Sequence, residues 1–185
     1  AMGFCLFNNV AIVARWLQAA GHAERVLIVD WDVHHGNGTQ DTFYEDPSVF
    51  FLSLHQSPHY PGSGAATERG VGAGDGFTRN VPLPAGISRS AYVERFSSEL
   101  EQVVDLFEPN FVLISCGFDC MADDPLGDFL LEAEDLHLMT RRVVEAAEVS
   151  CEGRVVALLE GGYNPTRVGL GAVAVIRALA DLPHA

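Results

Sequence analysis

Four short apolar runs, each ending in acidic, histidine or glycine residues, constrain this chain most. They are Val26–Asp32, Val49–His55, Phe111–Cys116 and Val155–Glu160. Each is rich in Val, Ile, Leu or Phe and lacks the period-2 alternation of a strand with one wet face, so each reads as a strand covered on both sides. Helical patterns fall between or beside them. Asn8–Ala20 stops at Gly21, and Ser90–Phe107 sets Val93, Phe96, Leu100, Val103 and Phe107 at three- and four-residue steps. Glu134–Val149 and Thr166–Leu179 are similar. Strand and helix in alternation predict an open parallel α/β sheet with helices on both faces. No internal repeat and no linker divides the chain, so residues 1–185 read as one domain.

Composition narrows the function classes. With 48% hydrophobic residues among 185, one sizeable core is available. No apolar run approaches the roughly 20 residues needed to span a bilayer, and no charged-then-apolar leader pattern is present. Eleven basic against 25 acidic residues give −14, which argues against direct contact with a nucleic-acid backbone. Such a balance suits cationic ligands, or simply a solvated acidic surface. Cys5, Cys116, Cys120 and Cys151 form no CxxC pair, and Cys5 and Cys116 stand in apolar stretches. The four read as reduced thiols of a cytoplasmic protein.

Parallel sheets hold their ligand sites at the carboxyl ends of the strands. The four predicted ends carry Asp30, Asp32, His34 and His35; Ser53, Leu54 and His55; Asp119; and Glu160 to Tyr163. Singly, each is a plausible solvated loop residue, but buried carboxylates and imidazoles need partners. In an extended segment residues two apart share a side, so Asp30, Asp32 and His34 can face one way. One histidine with the carboxylates of Asp32 and Asp119 makes a three-ligand site with an open fourth position, the plan of a catalytic rather than a structural zinc.

Eight motifs in order, "GFCLFNNVA", "DWDVHHGNGTQ", "FLSLHQ", "YPGSGA", "GFTRNVPLP", "SCGFD", "DPLG" and "LEGGYN", run over essentially the whole chain. In them the sequence resembles the zinc-dependent histone deacetylases, including the bacterial histone-deacetylase-like and acetylpolyamine amidohydrolases. "HHGNGTQ" and "LEGGYN" are similar to the class II and bacterial branch. The resemblance implies the arginase/deacetylase fold and removal of acetyl groups from acetylated lysine or polyamine. It implies Zn2+ on Asp32, His34 and Asp119, and a Tyr163 hydroxyl hydrogen-bonding the substrate carbonyl. Phe4, Tyr60, Pro125 and Leu126 would wall the substrate tunnel, with Gly161 and Gly162 making the tight turn that presents Tyr163. A structural K+ would sit on Asp30, Asp32, His34, Ser53 and Leu54, and an outer monovalent-ion site on Phe43, Asp46, Val49 and Phe77. His35 would be a supporting neighbour, and Asn37 would orient a catalytic histidine.

That histidine marks a departure. The relatives carry an adjacent His-His pair upstream of the "GFC" motif, and this chain starts two residues before that motif. The expectation is therefore the C-terminal part of a deacetylase domain, lacking its N-terminal elements and its general base. A non-catalytic metal-binding or interaction module is the competing expectation. Arginase relatives with two manganese ions would need an aspartate where Gly36 stands. The run "PGSGAATERGVGAGDGF" lacks a phosphate-binding signature and reads as a mobile surface loop, with His55 and His59 as loop polar residues. Ser115 has no nucleophile elbow around it. A homo-oligomer remains open.

Overall fold

The apolar runs become the centre of a five-stranded sheet. In the computed structural model, which describes residues 1–184, the strands are β1 (Val26–Asp30), β2 (Val49–Gln56), β3 (Thr78–Leu83), β4 (Phe111–Cys116) and β5 (Val155–Leu159). Their order is β3-β2-β1-β4-β5, and every neighbouring pair is parallel. The helices are α1 (Asn9–Ala19), α2 (Asn37–Phe43), α3 (Arg89–Phe107), α4 (Ala133–Cys151) and α5 (Pro165–Leu179).

Both sheet faces are covered, which explains the missing alternation. On β1 and β2, Leu27, Val29, Phe50, Leu52 and Leu54 pack with α3 and α4 through residues such as Tyr92, Phe96 and Met139. Val26, Ile28, Val49 and Phe51 point the other way, onto Val10, Ala14 and Leu17 of α1 and Phe43 of α2. Burying a side chain of this size is worth roughly 1.5–3 kcal/mol, so this double layer carries the core. Asn8 caps α1 by accepting from the Ala11 N–H, and Ser88 caps α3 in the same way.

Two elements were not legible as periodic runs. β3 carries Arg79 and Pro82 and lies at the sheet edge, where a strand tolerates a proline. α2 has only seven residues, "NGTQDTF", of low helix propensity, and forms because Thr39, Gln40 and Phe43 are buried. The opposite edge is open: Val156 and Leu159 of β5 are 41% and 65% exposed. Ile12 and Trp16 of α1 and Val173 and Ile176 of α5 are exposed as well. Among the described residues, no helix is long and apolar enough to cross a membrane.

Three expectations change. Cys5 is exposed rather than set in apolar surroundings, because its neighbours Phe4, Leu6 and Phe7 also lie outside the core; all four thiols are free. The glycine-rich stretch lies at the surface, as expected, but is pinned at buried Gly64, Gly70 and Gly74 rather than free along its length. Its Glu68 accepts from Gln40 Nε2 and the Gly64 N–H. β1 ends at Asp30 rather than Asp32. Beyond it the chain is shaped by two successive Asx turns, in which Asp30 Oδ1 accepts from the Asp32 N–H and Asp32 Oδ1 from the His34 N–H.

Candidate metal centre

Those Asx turns swing Asp32 and His34 toward the end of β4, where Asp119 follows Gly117 and Phe118. The ligand atoms of Asp32, His34 and Asp119 all lie within 4.8 Å of one another. Among the described residues no other group of three histidine, cysteine or acidic side chains is close enough to share one ion. His34 Nδ1 stands 3.1 Å from Asp32 Oδ1 and 3.2 Å from Asp119 Oδ2. Asp119 is fully buried; its Oδ1 accepts from the Val33 N–H at 2.9 Å, while Oδ2 has no aligned donor.

The electrostatics call for a cation. Burial and then the charge of Asp32 push Asp119 up to about 6. Burial, then Asp32 and Asp119, push Glu160 up to about 7. Burial and the Asp32 charge also raise Asp30 well above the usual carboxylate range. Burial opposes charging of His34, but hydrogen bonding and attraction to Asp119 and Asp32 outweigh it and push its pKa up to about 10. Carboxylates crowded this closely repel unless a positive charge sits among them, and here only a histidine proton does so. An oxygen–nitrogen–oxygen donor set with a buried orphan oxygen fits a divalent ion of the zinc type.

The turn after β5 closes the site from the other side. The Gly161 N–H donates to Asp32 Oδ2 at 2.9 Å. A side chain at Gly161 would collide with the carboxylates of both Asp32 and Asp119, and Gly162 adopts φ +137°. The turn leads to Tyr163, whose backbone N–H donates to Asp124 Oδ2 at 2.7 Å. Asp124 Oδ1 accepts from the Leu126 N–H, so one carboxylate joins the Tyr163 turn to the "DPLG" loop. Sequence reasoning overlooked Asp124, although the motif containing it was in view. Burial, then Asp119 and Asp32, push the Tyr163 hydroxyl up to about 12, which keeps it protonated at neutral pH.

The remaining predicted residues divide. Phe4 packs edge-on to Tyr163 with centroids 6.0 Å apart, and Tyr60 edge-on to His34 at 6.1 Å, so Tyr60 borders the triad and Phe4 borders Tyr163. The Leu126 carbonyl, next to Pro125, accepts from His59 Nε2. Asp30 and Ser53 are register partners on β1 and β2, with Leu54 next along. Phe43, Asp46 and Val49 follow one another from α2 into β2, and the Phe77 carbonyl accepts from the Phe51 N–H. Asp46 is held by Ser48 and by Arg15 at 2.5 Å. Asn37 Nδ2 reaches only Met2 Sδ, at 3.2 Å. A side chain at Gly36 would come within 2.5 Å of Asp30 Oδ2, which leaves no room for the extra aspartate of a dinuclear centre.

His35 and His55 lie away from the triad, in a network sequence reasoning did not foresee. His35 bonds Gln40 Oε1 and Ser63 Oγ, at 3.0 and 2.8 Å. His55 bonds Ser53 Oγ and the Gly64 carbonyl, at 2.9 and 3.0 Å. Asn80 Nδ2 donates to Gln40 Oε1 and to the Glu68 carbonyl.

An α/β protein with a candidate one-metal centre at its strand ends is what fold and site define. The histone deacetylase domain model matches residues 1–179, and the chain belongs to that deacetylase family. A probable deacetylase of Archaeoglobus fulgidus is 48% identical over 162 residues, covering 88% of this chain and 45% of that protein. Histone deacetylase 10, chloroplastic, of Oryza sativa subsp. japonica is 42% identical over 182 residues, covering 98% and 41%. Among solved structures, the HDA15 HD domain superposes with a TM-score of 0.90 at 43% identity, over 97% of this chain and 52% of that one. An acetylpolyamine aminohydrolase from Burkholderia pseudomallei gives 0.89 at 32% identity, over 98% and 52%. The chain thus spans about half the length of these relatives, and less than half of the two curated ones.

Proposed function

We propose that this chain forms the metal-binding part of a zinc-dependent amide hydrolase that removes acetyl groups from lysine side chains or acetylated polyamines. The observation that carries this reading is the convergence of Asp32, His34 and Asp119 around a buried oxygen without an aligned donor. These three would hold the zinc, which when bound polarises the amide carbonyl and lowers the pKa of its water toward about 7. Tyr163, protonated at neutral pH, donates its hydroxyl to the carbonyl oxygen as negative charge develops there. Phe4, Tyr60, Pro125 and Leu126 line the approach for an acyl-lysine stem, and the Gly161–Gly162 turn aims Tyr163 at it. By the same resemblance, Asp30, Ser53 and Leu54 join Asp32 and His34 around a structural K+, and Phe43, Asp46, Val49 and Phe77 surround a second one.

Proton transfer needs a base and an acid. The His-His pair that the resemblance calls for has no counterpart among these 185 residues. His35 and His55 are committed to the buried network. A metal-binding module without turnover is the second reading, because neither of these two buried rings can serve as the base. Metal analysis after reconstitution, followed by acetate release from acetyl-lysine peptide and N-acetylputrescine, separates the cases. One zinc per chain with Tyr163-dependent acetate release supports the hydrolase. One zinc without release supports the module, and two equivalents or none would overturn both.

A further inference from the structure

His59 touches the triad without belonging to it. Its ring stacks on that of His34, with centroids 5.0 Å apart and planes 25° from parallel. Its Nε2 donates to the Leu126 carbonyl at 3.0 Å, which fixes the Nε2–H tautomer, and Nδ1 lies 3.5 Å from the Gln56 amide. Gln56 is itself clamped to the same loop, donating to Asp128 Oδ2 at 2.8 Å and accepting from the Asp128 N–H at 2.9 Å. The loop so gripped is the one whose Asp124 holds both the Leu126 and the Tyr163 N–H groups. A continuous path of contacts therefore runs from His34 through His59, Leu126 and Asp124 to Tyr163.

We infer that His59 is a positioning residue that holds the His34 imidazole in its ligating orientation and keeps it in register with the Tyr163 turn. The inference rests on the metal-site reading above and deepens it. The His34 side chain is partly exposed, at 21%, and its backbone N–H is anchored by the short Asx turn to Asp32. Its Nδ1 can face Asp32 and Asp119 together only while the ring is kept from rotating. Tyr60 bounds that ring edge-on and His59 covers its face, so two sides of the imidazole are walled. The stack supplies the wall, and the Leu126 hydrogen bond fixes where the wall stands. The two parts separate by substitution: His59→Phe keeps a ring but loses the donor, whereas His59→Ala loses both.

The test is Co2+ and Zn2+ titration of the full 185-residue chain against a competing chelator, with the visible absorption of the Co2+ form as a second readout. Supporting outcomes are one metal per chain in every variant, with affinity lowered about 10- to 100-fold in His59→Ala, as for other groups that orient a ligand. His59→Phe should recover most of that loss, and the Co2+ band should shift in His59→Ala more than in His59→Phe. A loss of stability without change in metal affinity or band position would make His59 a packing residue and overturn the inference. Equal, large losses in His59→Phe and His59→Ala would also overturn it, since the stack would then do nothing. A wild-type chain that binds no metal would instead defeat the proposed function itself.

Discussion

His34 and His35 are neighbours in the chain, yet their rings enter two different clusters built in opposite ways. Around His35 every side-chain polar group but Asn80 Oδ1 finds a partner: Gln40, Ser63, Asn80, Ser53 and His55 answer one another with neutral hydrogen bonds, and the lone carboxylate, Glu68, accepts from Gln40. Around His34 the groups are like-charged carboxylates, and Asp119 Oδ2 has the His34 ring nearby but no aligned donor. Burial lowers the pKa of His35, and burial together with His35 lowers His55 to about 4, whereas the carboxylates push His34 up to about 10. A closed network stabilises the fold by itself. An open one stores repulsion that only a cation relieves, which is the mark of a binding site.

The largest effect should come from breaking the open cluster. Asp119→Asn keeps an oxygen for the Val33 N–H and removes one charge. Zinc affinity should fall by several orders of magnitude, while the metal-free chain should lose little stability, because the Asp32–Asp119 repulsion that goes offsets the attraction to protonated His34 that is lost. Calorimetric zinc titration beside thermal unfolding in chelator measures both. A strong drop in metal-free stability would mean that Asp119 is structural and that the contrast fails.

Gln40→Ala should do the reverse. It leaves His35 Nε2, Asn80 Nδ2 and Glu68 Oε2 without their shared partner. Only His35 Nε2 loses its sole partner, since Asn80 Nδ2 keeps the Glu68 carbonyl and Glu68 Oε2 keeps the Gly64 N–H. One unpaired buried group costs about 1–3 kcal/mol, and a loss of that size is expected in denaturant unfolding. Metal stoichiometry should stay at one per chain.

How much of this contrast was legible beforehand depends on range. The strands of the sheet centre and the α3 pattern follow from local spacing, and Asp32, His34 and Asp119 stand out because carboxylate and imidazole follow apolar runs so abruptly. The network was not legible, because Gln40, Ser63, Glu68 and Asn80 come from a short helix, a glycine-rich stretch and an edge strand. Each is an ordinary polar residue until the parallel β2–β3 pairing brings them together. His55 was placed near the site because it follows Ser53 and Leu54, but β2 continues through Gln56 and turns its ring into the network. Asp124 was hidden for the same reason, since its partner Tyr163 is 39 positions away.

Acid should separate the two regions by sign. His55 has an ordinary pKa of 6.5 when unfolded and about 4 when folded, so between these values the unfolded chain binds more protons. Its contribution is fully present above pH 6.5 and declines as pH falls, by about 1.4 kcal/mol per unit, until the folded form also protonates near 4. Asp119 in the metal-free chain acts oppositely. Its folded pKa of about 6 lies above the unfolded 3.8, so it adds stability as pH falls through that range. The His55 slope is therefore read as the difference between wild type and His55→Phe from pH 4 to 7. Identical slopes in the two proteins would place the His55 ring in contact with water.

The smallest effect offers the sharpest view of the closed network. Because Gln40 Oε1 accepts from both Asn80 Nδ2 and His35 Nε2, the His35 proton must reside on Nε2. Nδ1 is then an acceptor, and the Ser63 hydroxyl must be its donor, at 2.8 Å. Ser63→Ala removes that donor at a half-buried position where water can take over part of the role. A loss of only about 0.5–1.5 kcal/mol is expected, the ordinary net worth of one hydrogen bond. Nitrogen chemical shifts of labelled His35 should show a bare Nδ1 and a protonated Nε2 in both proteins at neutral pH, with Nδ1 shifting in the variant. A doubly protonated His35 would make this cluster charged like its neighbour. The distinction between a self-satisfied network and a cation-seeking site would then have to rest on Asp119 alone.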